Sequence, residues 1–141
     1  MKEELVNEIR EHIKEYEGFS ALVYSCPAGY DTIGFGRNIE QKGITKQEAE
    51  YLLANDIQQC IKELKGIINR FDDLPDKAKL VLIDMCYNLG LSKLLNFENM
   101  LDAIDARDWE KAAEELLDSR YARQVKRRAR INASYLIACA D

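Results

Sequence analysis

Leu5, Ile9, Ile13 and Tyr16 recur at helical spacing through an otherwise charged N-terminal stretch. This stripe predicts an amphipathic helix over residues 3–16, ended by Gly18. From Ala21 to Ile39 the period changes. β-Branched and aromatic residues are interrupted there by Pro27, Gly29, Gly34 and Gly36, which predicts two or three short strands with a tight turn at Cys-Pro-Ala-Gly. No other β region is expected. Thr45 and Glu48 form a Thr-x-x-Glu capping box that opens a long helix carrying Ala49, Leu52, Leu53, Ile57, Cys60, Ile61 and Leu64. The segment DDLPDKAK breaks it, with Asp73 expected to cap the next helix and Pro75 to sit in its first turn. The run from Ala78 to Leu89 reads as buried on most sides. Gly90, Asn96, Asp105 and Ser119 then divide the remainder into short helices near 97–104, 108–118, 121–126 and 128–139. This order predicts an α+β fold with a mainly helical second lobe, and a cleft between the lobes is expected.

Composition narrows the class. A chain of 141 residues, 47% hydrophobic, suits one domain that needs no staples. Cys26, Cys60, Cys86 and Cys139 form no CxxC pair, so reduced thiols are expected, with the last three as small core fillers and no metal site. No window approaches the roughly 18 apolar residues of a membrane span, and the charged N-terminus carries no visible secretion signal, so a soluble protein held in a cytoplasm is expected. The net charge of −5 hides an asymmetry: residues 119–141 carry six basic residues and one acid. Their segment RYARQVKRRAR could meet phosphate, an anionic glycan or the acidic rest of the chain. Arg123, Lys126 and Arg127 read as a solvated helix face. The negative overall charge and the lack of a recognisable reader fold argue against nucleic acid as a partner.

Candidate chemistry gathers around the strands. Glu17 closes the first helix between Tyr16 and Gly18. There the negative end of the helix dipole and apolar neighbours suit a carboxyl to hold a proton and act as a general acid, although an ordinary solvated Glu fits as well. Strand alternation puts Leu22, Tyr24 and Cys26 on one face and Tyr30, Thr32, Gly34 and Gly36 on one face, the glycines leaving room for a flat ligand. A turn cysteine and a β-favouring threonine remain the bland readings of Cys26 and Thr32. His12, the only histidine, reads as surface or core edge.

Together, Glu17, Cys26 and Thr32 stand in Glu-x8-Cys-x5-Thr spacing followed by TIGFG, which closely resembles the catalytic segment of the phage-type lysozymes, the endolysin muramidases of glycoside hydrolase family 24. ITKQEAEYLLANDI resembles the helix leading from that family's small lobe. YNLG with Phe97, and WEKAAEELLDSRYA with RRAR, are similar to its bundle and C-terminal segments. The resemblance implies a lysozyme-like fold over 1–141 as a single domain. Its small lobe would cover about 17–45, and its helical lobe about 65–141 plus the N-terminal helix, the two joined by the long helix. It implies hydrolysis of the β-1,4 bond between N-acetylmuramic acid and N-acetylglucosamine in peptidoglycan, with inversion and without a cofactor. A catalytically silent peptidoglycan-binding protein or a lytic transglycosylase are the alternatives.

By the same resemblance Glu17 is the general acid, Cys26 takes the place of a second acidic group that is Asp in many relatives, and Thr32 supplies a hydroxyl that positions water or substrate; a thiolate base or nucleophile, a group that orients water with Thr32, and a redox-sensitive gate are the open roles for Cys26. Arg128 matches an arginine that approaches the catalytic Glu, and Tyr87 and Asn88 match a cleft-lining segment, with core packing an alternative for Tyr87. An enzyme of this kind is expected to be a monomer that waits in the host cytoplasm until a separate holin-like protein lets it reach the wall.

Overall fold

The computed structural model describes residues 1–140; Asp141, the last residue of the expected domain, lies outside the described residues. The chain divides into two compact units, Met1–Tyr51 and Leu52–Asp141.

In the first unit, α1 (Glu3–Glu17) ends where Gly18 turns to φ +67° and donates its amide to the Lys14 carbonyl. Strands β1 (Ser20–Ser25), β2 (Asp31–Gly34) and β3 (Arg37–Asn38) form one antiparallel sheet in the order β1-β2-β3. Tyr24 opposes Thr32 and Ser25 opposes Asp31, whereas Ser20 opposes Gly34, so an irregularity between Ser20 and Tyr24 bends β1. The expected turn closes at Cys26, which donates its amide to Tyr30 O (3.0 Å) and accepts from Gly29 N–H (2.8 Å). A short α2 (Ile39–Lys42) is capped by the Asn38 side chain, which accepts from Gln41 N–H. The capping box then opens α3 (Lys46–Ile67) with both of its bonds: Glu48 N–H to Thr45 Oγ1 at 3.1 Å and Thr45 N–H to Glu48 Oε1 at 2.8 Å.

The second unit holds the rest of α3 and the helices α4 (Asp76–Leu89), α5 (Leu91–Leu94), α6 (Glu98–Asp105), α7 (Trp109–Leu117), α8 (Arg120–Val125) and α9 (Arg127–Ala138). The starts of α7 and α8 follow polar caps legible in the chain: Asp108 accepts from Lys111 N–H, and Ser119 Oγ accepts from Ala122 N–H. Leu64, Leu82, Met85, Leu94, Ile104, Leu116 and Leu136 are fully enclosed in one core. Cys60 and Cys86 are buried in it, Cys139 packs against it, and all four thiols are free.

Two expectations are corrected. Asp73 does not cap α4. It lies in a 3-10 turn (Phe71–Asp73) and accepts from Arg70 Nε, while α4 starts without a side-chain cap behind an extended Pro75. Nor is the 78–89 run enclosed on most sides. With 3.6 residues per turn, Ala78, Val81, Leu82, Met85 and Cys86 take the core face, and Leu80 and Tyr87 fall outside it. The helix α5 was not anticipated; Gly90 at φ +84° restarts the chain there so that Leu94 enters the core. Among the described residues no helix is long and apolar enough to cross a membrane.

Candidate active site

The first unit carries Glu17, Cys26 and Thr32. Glu17 is the last residue of α1, and its side chain lies against the backbone of the turn between β2 and β3. A Cβ built on Gly36 would fall 2.1 Å from Glu17 Oε2 and 2.5 Å from its carboxyl carbon. The φ of +72° favours glycine at position 36, and a Cβ there would also force the end of the exposed Glu17 side chain to shift. The ligand-sized gap expected above both glycines is corrected accordingly. The strand ends at Gly34, Phe35 and Gly36 turn into β3, and the Glu17 carboxyl takes the space that Gly36 leaves, while only the Gly34 side is open.

Thr32 sits in the central strand at 3% exposure, opposite Tyr24 on one side and Asn38 on the other. Directly opposed residues of an antiparallel pair share a face, so Tyr24 and Thr32 stand together, and Cys26, paired through its amide with Tyr30, continues that face to the turn. The Thr32 hydroxyl donates to Tyr30 O at 2.9 Å. The backbone N–H of Tyr30 holds the Cys26 thiol below its ordinary range. Partial desolvation opposes this, and the Thr32 hydroxyl with the amides of Ala28 and Gly29 adds to the lowering. A hydroxyl has one proton, and that of Thr32 is directed at the Tyr30 carbonyl. The direction of the shift favours the thiolate at this turn.

The second unit carries Tyr87, Asn88 and Arg128. Tyr87, 48% exposed, and Asn88 both face outward on the last turn of α4, so core packing does not hold Tyr87. Arg128, on the first turn of α9, grips Asp84 of α4 with a fork, Nε to Oδ2 (3.0 Å) and Nη2 to Oδ1. Buried Asn132 donates to the same carboxylate at 2.9 Å. Burial pushes Asp84 upward, but the hydrogen bonds from Arg128 and Asn132 and the guanidinium charge outweigh it and hold the carboxyl below its usual range. Tyr87, Asp84 and Arg128 border one groove of roughly 580 Å³ whose floor includes Leu53, Ile57 and Ile83; Asn88 is not among its lining residues. Arg123, Lys126 and Arg127 are exposed and, among the described residues, pair with no acid, as expected for a solvated face. His12 is exposed, its ring 4.9 Å from that of Tyr16.

Two residues escaped the sequence reading. Asp84 is a lone acid inside an apolar run, and asking what partner it needs would have found Arg128. Arg37 forks onto Glu48 with both Nη atoms, a role hidden because the capping box already explained Glu48.

Residues 14–131 match the family model described as phage lysozyme. The chain belongs to that family. "Probable T4-type lysozyme 1" of Dictyostelium discoideum is 24% identical over 154 aligned positions, covering 89% of this chain and 91% of the relative. "Probable T4-type lysozyme 2" of the same organism is 22% identical with the same coverage. "Pre-baseplate central spike protein Gp5" of Enterobacteria phage T4 is 27% identical over 84% of this chain, which matches only 26% of that longer protein. The mostly helical architecture with one small antiparallel sheet is the α+β lysozyme-like fold of this phage lysozyme family.

Proposed function

We propose that the protein is a muramidase that hydrolyses the β-1,4 bond between N-acetylmuramic acid and N-acetylglucosamine in bacterial peptidoglycan, acting as an endolysin. The observation that carries the reading is the seating of Glu17 against Gly36, on the turn of the same small sheet that bears Cys26 and Thr32. Glu17 donates its proton to the glycosidic oxygen as the bond to the anomeric carbon breaks. Water adds to that carbon from the opposite side and gives its proton to the Cys26 thiolate, while Thr32 orients the water. The donors around Cys26 support its ionised form in the place where many relatives hold Asp. Tyr87, Asn88 and Arg128 contact the glycan. The chain works as one lysozyme-like domain and as a monomer, stays in the host cytoplasm, and reaches the wall when a separate holin-like protein permeabilises the membrane.

The test is clearing of outer-membrane-permeabilised bacteria together with mass analysis of muropeptides released from purified sacculi. Wild type is expected to clear and to leave reducing-end muramic acid, Glu17→Gln to do neither, Cys26→Asp to retain lysis and Cys26→Ala to reduce it. Equal clearing by wild type and Glu17→Gln removes Glu17 from the chemistry. Binding without clearing by wild type identifies a silent peptidoglycan-binding protein, and anhydro-muramic products identify a lytic transglycosylase. Full activity in Cys26→Ala takes the thiol out of the mechanism.

A further inference from the structure

The peptide on which the Glu17 carboxyl rests is anchored on both sides. Upstream of Gly36, the Phe35 ring packs 5.4 Å from that of Phe19, with Lys14 Nζ 5.4 Å above its centroid. Downstream, Arg37 spends three of its five donors on fixed acceptors: Nη1 on Glu48 Oε2 (2.8 Å), Nη2 on Glu48 Oε1 (2.9 Å) and Nε on the Gly43 carbonyl (3.0 Å). Such a fork holds position as well as charge, which an ammonium or an amide cannot reproduce.

Glu48 is itself immobilised. It accepts from Thr45 N–H (2.8 Å), and it lies in the first turn of α3, where the helix dipole favours a carboxylate. Thr45, through its backbone and then its hydroxyl, and the Arg37 charge hold Glu48 below the ordinary carboxylate range, so the pair stays ionised.

We propose that Arg37 is a positioning residue for Glu17: through Glu48 and the Gly43 carbonyl it fixes the Phe35–Gly36–Arg37 peptide that sets where the Glu17 carboxyl stands. The role rests on the reading of Glu17 as general acid. Without the fork the turn is free to shift, and a proton donor displaced by about 1 Å can lose up to about 100-fold in rate without any loss of substrate affinity. The loss falls only on substrates whose leaving group needs a proton.

The experiment compares two substrates at a temperature at which every variant is folded: peptidoglycan fragments, and an aryl glycoside of the same glycan whose phenolate departs unprotonated. Arg37→Gln is expected to lower kcat on the peptidoglycan fragments by about 10-fold or more, with KM within about 2-fold, and to leave aryl glycoside hydrolysis near wild type. Arg37→Lys, which keeps the charge and loses the fork, is expected to fall between Arg37→Gln and wild type. Thr45→Ala weakens the cap of α3 without removing the fork, and is expected to match wild type on both substrates. A parallel fall on both substrates reduces Arg37 to a structural residue and overturns the proposal, as does wild-type turnover in Arg37→Gln. Should Arg37→Gln not fold, the same comparison on Arg37→Lys decides. Inactive Glu17→Gln beside an unimpaired Arg37→Gln refutes the positioning role alone, whereas active Glu17→Gln refutes the reading of Glu17 as general acid and the positioning role with it.

Discussion

Gly36→Ala tests the seating of Glu17 most directly. The added Cβ would stand 2.1 Å from Glu17 Oε2, 2.5 Å from Cδ and 2.9 Å from Cγ, where ordinary contact begins at 3.4 Å. The oxygen must therefore retreat by about 1.3 Å, the difference between 3.4 and 2.1 Å. Displacement of a catalytic group by about 1 Å can cost about 100-fold in rate, equivalent to roughly 2.7 kcal/mol of transition-state stabilisation. The backbone adds a separate penalty, because φ +72° is left-handed and a residue with a Cβ pays about 1–2 kcal/mol there. Gly34→Ala separates the two effects: its φ is +69°, but nothing lies within 4 Å of the new Cβ. Denaturant unfolding should find both variants destabilised by about 1–2 kcal/mol. Release of reducing ends from purified sacculi should find Gly34→Ala near wild type and Gly36→Ala about 100-fold slower. If folded Gly36→Ala turns over like Gly34→Ala, the position of the carboxyl against that turn has no bearing on catalysis.

Other outcomes follow from single residues. Leu82 is fully enclosed in α4, and Leu82→Ala should cost about 2–5 kcal/mol in chemical unfolding; a loss below about 1 kcal/mol would mean the core collapses around the gap. Asp84 has a folded value depressed below its unfolded one near 3.9, so its stabilisation is present above about pH 4 and is lost as pH falls through the folded value. The stability gap between wild type and Asp84→Asn should accordingly narrow on acidification, and a gap that does not change with pH assigns Asp84 a role in shape alone. Burial, and after it Cys60, push the Cys86 thiol up to about 12, while Cys26 is lowered and partly exposed. Brief iodoacetamide treatment at neutral pH should therefore label the Cys26 peptide first and the Cys86 peptide last by mass spectrometry, and equal labelling would show that the donors around Cys26 do not favour thiolate.

Most of the architecture was legible in the chain because its signals act over a few residues. The stripe through α1, the glycine and proline punctuation of the sheet and the Thr45–Glu48 box each join residues within about one or two helical turns, so local physics suffices. Short helices were bounded correctly where a polar cap marked them, at Asp108 and Ser119. They were misjudged where competing signals stood close together: Asp73 found a nearer partner in Arg70, and Gly90 could equally end a helix or begin one. Spacing also brought Glu17, Cys26 and Thr32 forward as candidates and linked the chain to the phage lysozyme family, which the match over residues 14–131 bears out.

What the chain alone could not specify are pairings made through space. Strand alternation put Gly36 on an open face, yet the turn after Gly34 brought it under the Glu17 carboxyl. Arg37 takes Glu48 at a separation of 11 residues, and Arg128 takes Asp84 at 44, each choosing one acid among 25 Asp and Glu residues. Which acid each cation reaches depends on how the turns and helices between them orient the backbone. That orientation is settled by packing and by positive-φ glycines acting together, so it becomes readable only when the tertiary structure is in hand.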